Sequence, residues 1–354
     1  MTRHIIRRLV QAIPTLLGVT IISYLLLIAA PGDPIRQMTF GDPNMTPQQR
    51  EALADIYGLN DPWFVQYLVW LTGNDWMPWK YEINSETGER EFTEINKRFG
   101  IIRGDFGTSI QKRIEVIELI TTRLPATIEL GLSTFLVAIL IGIPVGIGAA
   151  VWHGKFFDSS SRILAVVGQA IPNFWLGLLL ILFIGVSLDV QWARGGRCNL
   201  RDPRYRRVPC GQVPITERIQ YLVLPTIVLS LGGIAGYSRF MRTSMLDTIN
   251  SDYIRTARSK GLQDRTVWMR HAARNALIPI ATFLGPAIVG ILSGAVVTEQ
   301  IFSWPGLGLL FIEAVTQRDY PIIMASVIIS AVLTVIAYII SDVLYAVFDP
   351  RIRF

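Results

Sequence analysis

The chain is 354 residues long, 51% hydrophobic and only 17% charged, with a formal net charge of +6. A soluble domain carries about 25% charged residues, so this composition excludes a disordered chain, a collagen-like chain and a basic nucleic-acid-binding domain, and points to a bilayer. Two cysteines exclude a disulfide scaffold but leave room for one bridge, and three histidines leave little material for a metal site.

A membrane-crossing helix takes about 20 mostly apolar residues. Six segments qualify: 9–30, 130–151, 163–188, 219–237, 276–298 and 321–348. The first follows Arg7 and Arg8 in the manner of a signal peptide. Its apolar run is long for that, and it ends in Ala29-Ala30-Pro31-Gly32-Asp33-Pro34, a poor cleavage site, so it reads as a retained anchor. With the N-terminus inside, the inner pieces 1–8, 152–162, 238–276 and 349–354 hold 15 Lys/Arg and five Asp/Glu. The outer pieces 31–126, 189–220 and 299–320 hold 18 and 20 over more than twice the length. Basic residues gather on the cytoplasmic side, so both termini are expected there.

Residues 31–126 are too long for a plain loop. Thr46-Pro47-Gln48-Gln49 opens a helix with a capping hydroxyl and a proline at the first helical position. That helix runs to Tyr57 and stops at Gly58, and a second fits 62–71. Residues 80–95 alternate around Ser85-Glu86-Thr87-Gly88 as in a hairpin, and Trp76, Trp79 and Tyr81 suit a membrane interface. The expected organisation is an anchor helix (1–30), an external cap of helices and a β-hairpin (31–126), a transmembrane core (127–348) and a short tail (349–354). The fold class is an all-α polytopic membrane protein. Cys198 and Cys210, on the oxidising side in an arginine-rich loop, are candidates for a disulfide; the alternatives are two unpaired thiols or a metal site short of ligands. The arginines around them read as a solvated face, with a partner-binding surface as the alternative.

Residues 238–276 are the most informative stretch. Asp252 is suited to cap a short helix through Ala257 to Lys260, Gly261 to stop it, and a second helix then runs toward the fifth span. By composition alone, a basic loop attracted to anionic lipid fits as well. The stretch Tyr253-Ile254-Arg255-Thr256-Ala257-Arg258-Ser259-Lys260-Gly261-Leu262, with Arg270-His271-Ala272-Ala273-Arg274-Asn275-Ala276-Leu277-Ile278-Pro279 after it, resembles the coupling loop of binding-protein-dependent ABC importer permeases. It is similar to the dipeptide, oligopeptide and nickel branch in particular. Arg255-Thr256-Ala257 stands where the general pattern has Glu-Ala-Ala, and the proline comes later after Gly261 than in the general pattern.

Other stretches match the same branch: Pro14-Thr15-Leu16-Leu17-Gly18-Val19, Gly104-Asp105-Phe106-Gly107-Thr108-Ser109, Arg123-Leu124-Pro125-Ala126-Thr127, Pro172-Asn173-Phe174-Trp175, Phe302-Ser303-Trp304-Pro305-Gly306-Leu307-Gly308, Arg318-Asp319-Tyr320-Pro321 and Asp349-Pro350-Arg351-Ile352-Arg353. Residues 74–99 and 190–215 look like insertions. The resemblance implies six spans of the type I importer kind in a prokaryotic inner membrane. Its implied partners are a homologous second permease subunit, two ATPase subunits that bind ATP and Mg, and an external substrate-binding protein. It also implies coupling through Arg255, Thr256, Ala257, Arg258, Lys260, Gly261 and Leu262, with the basic residues meeting acids on an ATPase. The expected cargo is a short peptide; nickel chelates, glycosides and opines are the alternatives.

The chain has no phosphate-binding Gly-x-x-x-x-Gly-Lys-Ser/Thr loop, so it is expected to bind no ATP and to be no enzyme itself. No cofactor and no metal site is expected. Gln169 and Asn173 flank Pro172 in the third span, where a broken helix could line a pathway. Glu129 and Asp342 sit at span edges and read as hydrogen-bonding residues before proton carriers. A self-contained secondary transporter is the rival reading, but the sequence lacks a convincing internal repeat.

Overall fold

The computed structural model describes residues 2–29, 46–56, 58–76, 82–83, 90–91, 98–198, 210–293 and 295–348. The Pro31-Gly32-Asp33-Pro34 stretch, Trp79, Tyr81, the turn at 84–89, loop 199–209 and tail 349–354 lie outside the described residues. In chain order the longer helices are α1 (Thr2–Ala29), α2 (Pro47–Ile56), α3 (Trp63–Thr72), α4 (Val116–Val151), α5 (Phe156–Ala170), α6 (Asn173–Leu180), α7 (Ile215–Ile249), α8 (Asp252–Ser259), α9 (Leu284–Ser293), α10 (Val296–Ile301), α11 (Leu307–Gln317) and α12 (Tyr320–Phe348). A two-residue antiparallel pair, β1 (Glu82–Ile83) with β2 (Arg90–Glu91), sits between α3 and α4 in sequence, with Glu82 opposite Glu91.

Among the described residues, four helices are long and apolar enough to cross a bilayer: residues 6–29 of α1, all of α4 and α7, and residues 320–342 of α12. A fifth crossing results if α5 and the helical run Asn173–Ser187 count as one span bent by 92°. The break falls at Ile171-Pro172. Ile171 is extended (φ −74°, ψ 122°), as a residue before proline must be, and Pro172 occupies the N-cap position of α6. Residues 276–298, expected as one span, are not one helix. A 3-10 stretch (Ile278–Phe283) leads into α9, and α10 is separate. Pro279 and Pro286 withdraw two backbone donors there.

Two helices run well past the apolar segments that mark them. α4 begins 14 residues before the expected 130, and α7 ends 12 residues after the expected 237. At about 1.5 Å per residue each is over 50 Å long, against a hydrocarbon core of about 30 Å. The charged side chains that end the apolar run of α7, Arg239 and Arg242, are good helix formers. With no glycine or proline from 238 to 249, the helix continues.

The chain forms two compact units. One comprises residues 10–122 and 310–331. In it Tyr24, Tyr67 and Met324 are buried together. Tyr24 and Tyr67 meet edge-on at 5.5 Å, and the Tyr67 hydroxyl bonds Thr20 Oγ1 at 2.8 Å. Thr46 and Gln49 form a reciprocal cap at the start of α2: Gln49 N–H donates to Thr46 Oγ1 (3.2 Å) and Thr46 N–H donates to Gln49 Oε1 (2.9 Å). Buried Asp319 accepts from the Ser109 hydroxyl (2.5 Å) and from the backbone N–H groups of Ile110 (3.3 Å) and Gln111 (3.2 Å). The two motif stretches 104–109 and 318–321 are thus halves of one knot.

The other unit comprises residues 1–9, 123–309 and 332–354. Large apolar side chains on its α4, α5 and α6, such as Leu140, Leu164 and Leu178, are exposed. That is the expected state of a helix whose solvent is lipid.

Candidate functional site

The segment after α7 is built as a short helix standing on an apolar root. Ser251 takes the N-cap position of α8, and its hydroxyl donates back to Thr248 O at 2.6 Å. Asp252, expected from the sequence to be the cap, instead lies in the first turn, where its charge suits the helix dipole. Gly261 ends the element with φ +77°, its N–H donating to Arg258 O at 2.9 Å. A Cβ there would meet no atom within 4 Å, so the demand on this glycine is conformational rather than steric.

Of the seven coupling residues, Arg255, Thr256, Arg258, Lys260, Gly261 and Leu262 are exposed, and Ala257 is buried. Ala257 and the fully buried Ile254 pack into a cluster with Ala150 of α4, Met241 and Met245 of α7, and Val267, Ala272, Ala273, Ala276 and Ile280. The following helical run, residues 264–276, is clasped to α7 by the Ser244 hydroxyl donating to Ala276 O at 2.9 Å. The ion pairs of α8, Arg255–Asp252 (3.6 Å) and Arg258–Asp264 (3.9 Å), are exposed and contribute little. One face of α8 is thus anchored to three helical elements, and the other presents cations, a hydroxyl and Leu262 outward.

The pathway candidates separate. Gln169 lines a cavity of about 430 Å³ with Gly233, Gly236, Tyr237, Arg239, Phe240, Thr243 and Phe283, and its Oε1 accepts from Arg239 Nη2 at 2.5 Å. Pro172 and Asn173 do not line it; they make the bend and open α6.

Three polar knots, buried or partly buried, carry residues that the sequence left without partners. Asp158, 1% exposed, accepts from Arg242 Nε (2.6 Å), Arg242 Nη2 (2.9 Å) and Gly154 N–H (3.0 Å), tying α5 to α7. Glu129 accepts from Arg197 (2.5 and 2.9 Å) and Arg218 (3.2 Å), and the Arg197 guanidinium lies 6.0 Å over the Trp304 ring. Arg197 and Arg218 are therefore inserted groups, which corrects the reading of them as a solvated face. Cys198, the next residue, is disulfide-bonded to Cys210 with Cα atoms 5.6 Å apart. Asp342 pairs with Arg8 at 2.7 Å.

The third knot joins the 123–127 and 302–308 motifs. Trp304 Nε1–H donates to Ala126 O (2.8 Å), and Leu307 N–H to Thr127 Oγ1 (2.7 Å). The Thr127 hydroxyl donates to Glu299 Oε1 (3.1 Å), and Leu309 N–H to Glu299 Oε2 (2.9 Å). Gly306 and Gly308 make room: a Cβ on Gly306 would fall 2.4 Å from the buried carboxylate.

Residues 142–354 match the family described as binding-protein-dependent transport system inner membrane component, and residues 1–78 match its N-terminal family. The chain is 42% identical to the oligopeptide transport system permease protein AppB of Bacillus subtilis over the full length of both. It is 34% identical to the dipeptide transport system permease protein DppB of Escherichia coli K12, covering all of this chain and 99% of the relative. It is likewise 34% identical to the di/tripeptide transport system permease protein DppB of Pseudomonas aeruginosa, with the same coverage. This multi-pass chain, with its anchored helix at 252–259, belongs to the binding-protein-dependent transport system inner membrane component family.

Proposed function

We propose that the chain is the permease subunit of an ATP-driven importer of short peptides, working with a homologous second permease, two ATPase subunits that bind ATP and Mg, and an external binding protein. The observation that carries the reading is the α8 segment. It has a face of Arg255, Thr256, Arg258, Lys260 and Leu262 free to meet another protein, and a root in Ile254 and Ala257 that binds it to α4 and α7. Full-length identity to permeases named for oligopeptides and dipeptides supports the cargo class.

The mechanism follows from rigidity. Closure of the ATPases on ATP displaces α8. Because α8 cannot move without its buried cluster, the push passes to α7 and to residues 264–276, and the spans rock to alternate access. In this reading six spans cross the inner membrane with both termini inside, residues 276–298 form an interrupted span, and residues 31–126 form an external cap. The Cys198–Cys210 bridge lies on the oxidising side, where it fixes the base of the loop that delivers Arg197 to Glu129.

The test is to purify the tagged wild-type chain and Gly261→Asp from the native host in mild detergent. Both should bring down a related six-span subunit and Walker-motif ATPases, and only the wild type should support peptide uptake. Normal uptake by the variant would sink the coupling role. Recovery of the chain alone, under conditions that preserve other ABC complexes, would favour a self-contained transporter.

A further inference from the structure

We infer that the cavity between α5 and α7 is a subsite for the carboxylate end of the cargo, with Arg239 as the group that holds it. This rests on the peptide-importer reading and names a residue and an orientation within it. At about 430 Å³ the space falls in the range of small-molecule sites, about 300–1,000 Å³. One wall is aromatic: Phe283 meets Phe240 edge-on at 4.6 Å and Tyr237 at 6.4 Å. Backbone without side chain keeps another part open, since a Cβ on Gly236 would meet no atom within 4 Å.

The polar end consists of Arg239, Gln169 and Thr243. Arg239 donates to the neutral amide of Gln169, and among the described residues no carboxylate lies within ion-pair distance of it. The contrast with its neighbour on α7 is informative, because Arg242 is neutralised by buried Asp158. The two cations are three residues apart on one helix; Arg242 turns to Asp158, and Arg239 lines the cavity. A guanidinium with one nitrogen engaged still presents N–H groups in the fork that matches a carboxylate. An apolar wall beside a single open cation fits a short peptide that enters carboxylate first, its side chain on the aromatic face and its ammonium end kept away from Arg239. A phospholipid headgroup offers the same oxyanion chemistry, so the experiment separates the two.

The complete transporter, with its partner permease, ATPases and binding protein, is reconstituted in vesicles. Uptake below saturation is measured for one peptide as the free acid and as the C-terminal amide. Wild type, Arg239→Gln and Arg239→Lys are compared as acid-to-amide ratios. The binding protein is identical throughout, so its own preference cancels, as does any general loss of activity. The ratio should fall about tenfold in Arg239→Gln, about 1.4 kcal/mol, and recover only in part in Arg239→Lys, which restores the charge without the fork. An unchanged ratio overturns the inference, whether or not overall uptake falls. If uptake of both forms falls equally on removing anionic lipid, and Arg239→Gln abolishes that dependence while leaving the ratio alone, Arg239 belongs to a headgroup. A wild-type complex that imports neither form refutes the peptide reading itself and this subsite with it.

Discussion

Ile254→Ala tests whether α8 is held by its buried root. Ile254 and Ala257 are the buried side chains of this eight-residue helix, and Ile254 is wholly inaccessible. An isolated helix of this length is not stable in water, so its docked state depends on that burial. The substitution removes three carbons, about 2.4 kcal/mol of transfer free energy at about 0.8 kcal/mol per group. The cavity left among Met241, Met245 and Val267 adds to this, giving about 3 kcal/mol, within the measured range of about 2–5 for such truncations. If α8 opens locally, amide exchange there should speed up about 100-fold. Hydrogen exchange with mass spectrometry on the intact purified transporter would read this, with Arg255→Ala as the control, because its exposed pair with Asp252 is worth at most about 1 kcal/mol. If the proposed coupling role holds, ATP hydrolysis by the complex should lose its link to peptide uptake in Ile254→Ala. Unchanged exchange over 252–259 together with normal uptake would refute the argument that burial of Ile254 makes the segment a rigid coupling element.

The remaining expectations concern the buried knots, and detergent-solubilised thermal or chemical unfolding reads all of them. Asp158→Asn and Arg242→Gln should each destabilise by about 3 kcal/mol, by stranding the partner group. The double variant should cost at least about 1 kcal/mol less than the sum, and strict additivity would show that the pair does not interact. Gly306→Ala drives a methyl into the Glu299 carboxylate and should cost about 1–3 kcal/mol. Gly232→Ala, where a Cβ meets no atom within 4 Å, should be neutral or stabilising by up to about 1 kcal/mol, and equal effects would overturn the steric reading. Cys198→Ser should lower stability by about 2–4 kcal/mol under oxidising conditions and by little under full reduction. Insensitivity to reductant would mean the bridge does not constrain the loop.

The amino-acid sequence by itself determined the features whose signals are local. A run of apolar residues announces a crossing because a bilayer demands one everywhere along its depth, and α1, α4, α7 and α12 follow. The cap at Thr46, the stop at Gly261 and the break before Pro172 are equally readable, since each depends on the backbone chemistry of one or two residues. The family-like order of 252–279 was legible for the same reason.

Only the tertiary structure decided what lies across the chain. Asp158 finds Arg242 over 84 positions, Thr127 finds Glu299 over 172, and Ser109 finds Asp319 over 210. A buried carboxylate must have partners, but the sequence does not say which of 33 basic residues or many hydroxyls will arrive. The same holds for helix length. Arg239 ends the apolar run of α7 without ending the helix, because polarity marks where the lipid stops, whereas a helix stops only where the backbone bonding fails. Packing therefore decided that α7 carries its register on toward α8, and that Arg242 is paired while Arg239 is left facing the cavity.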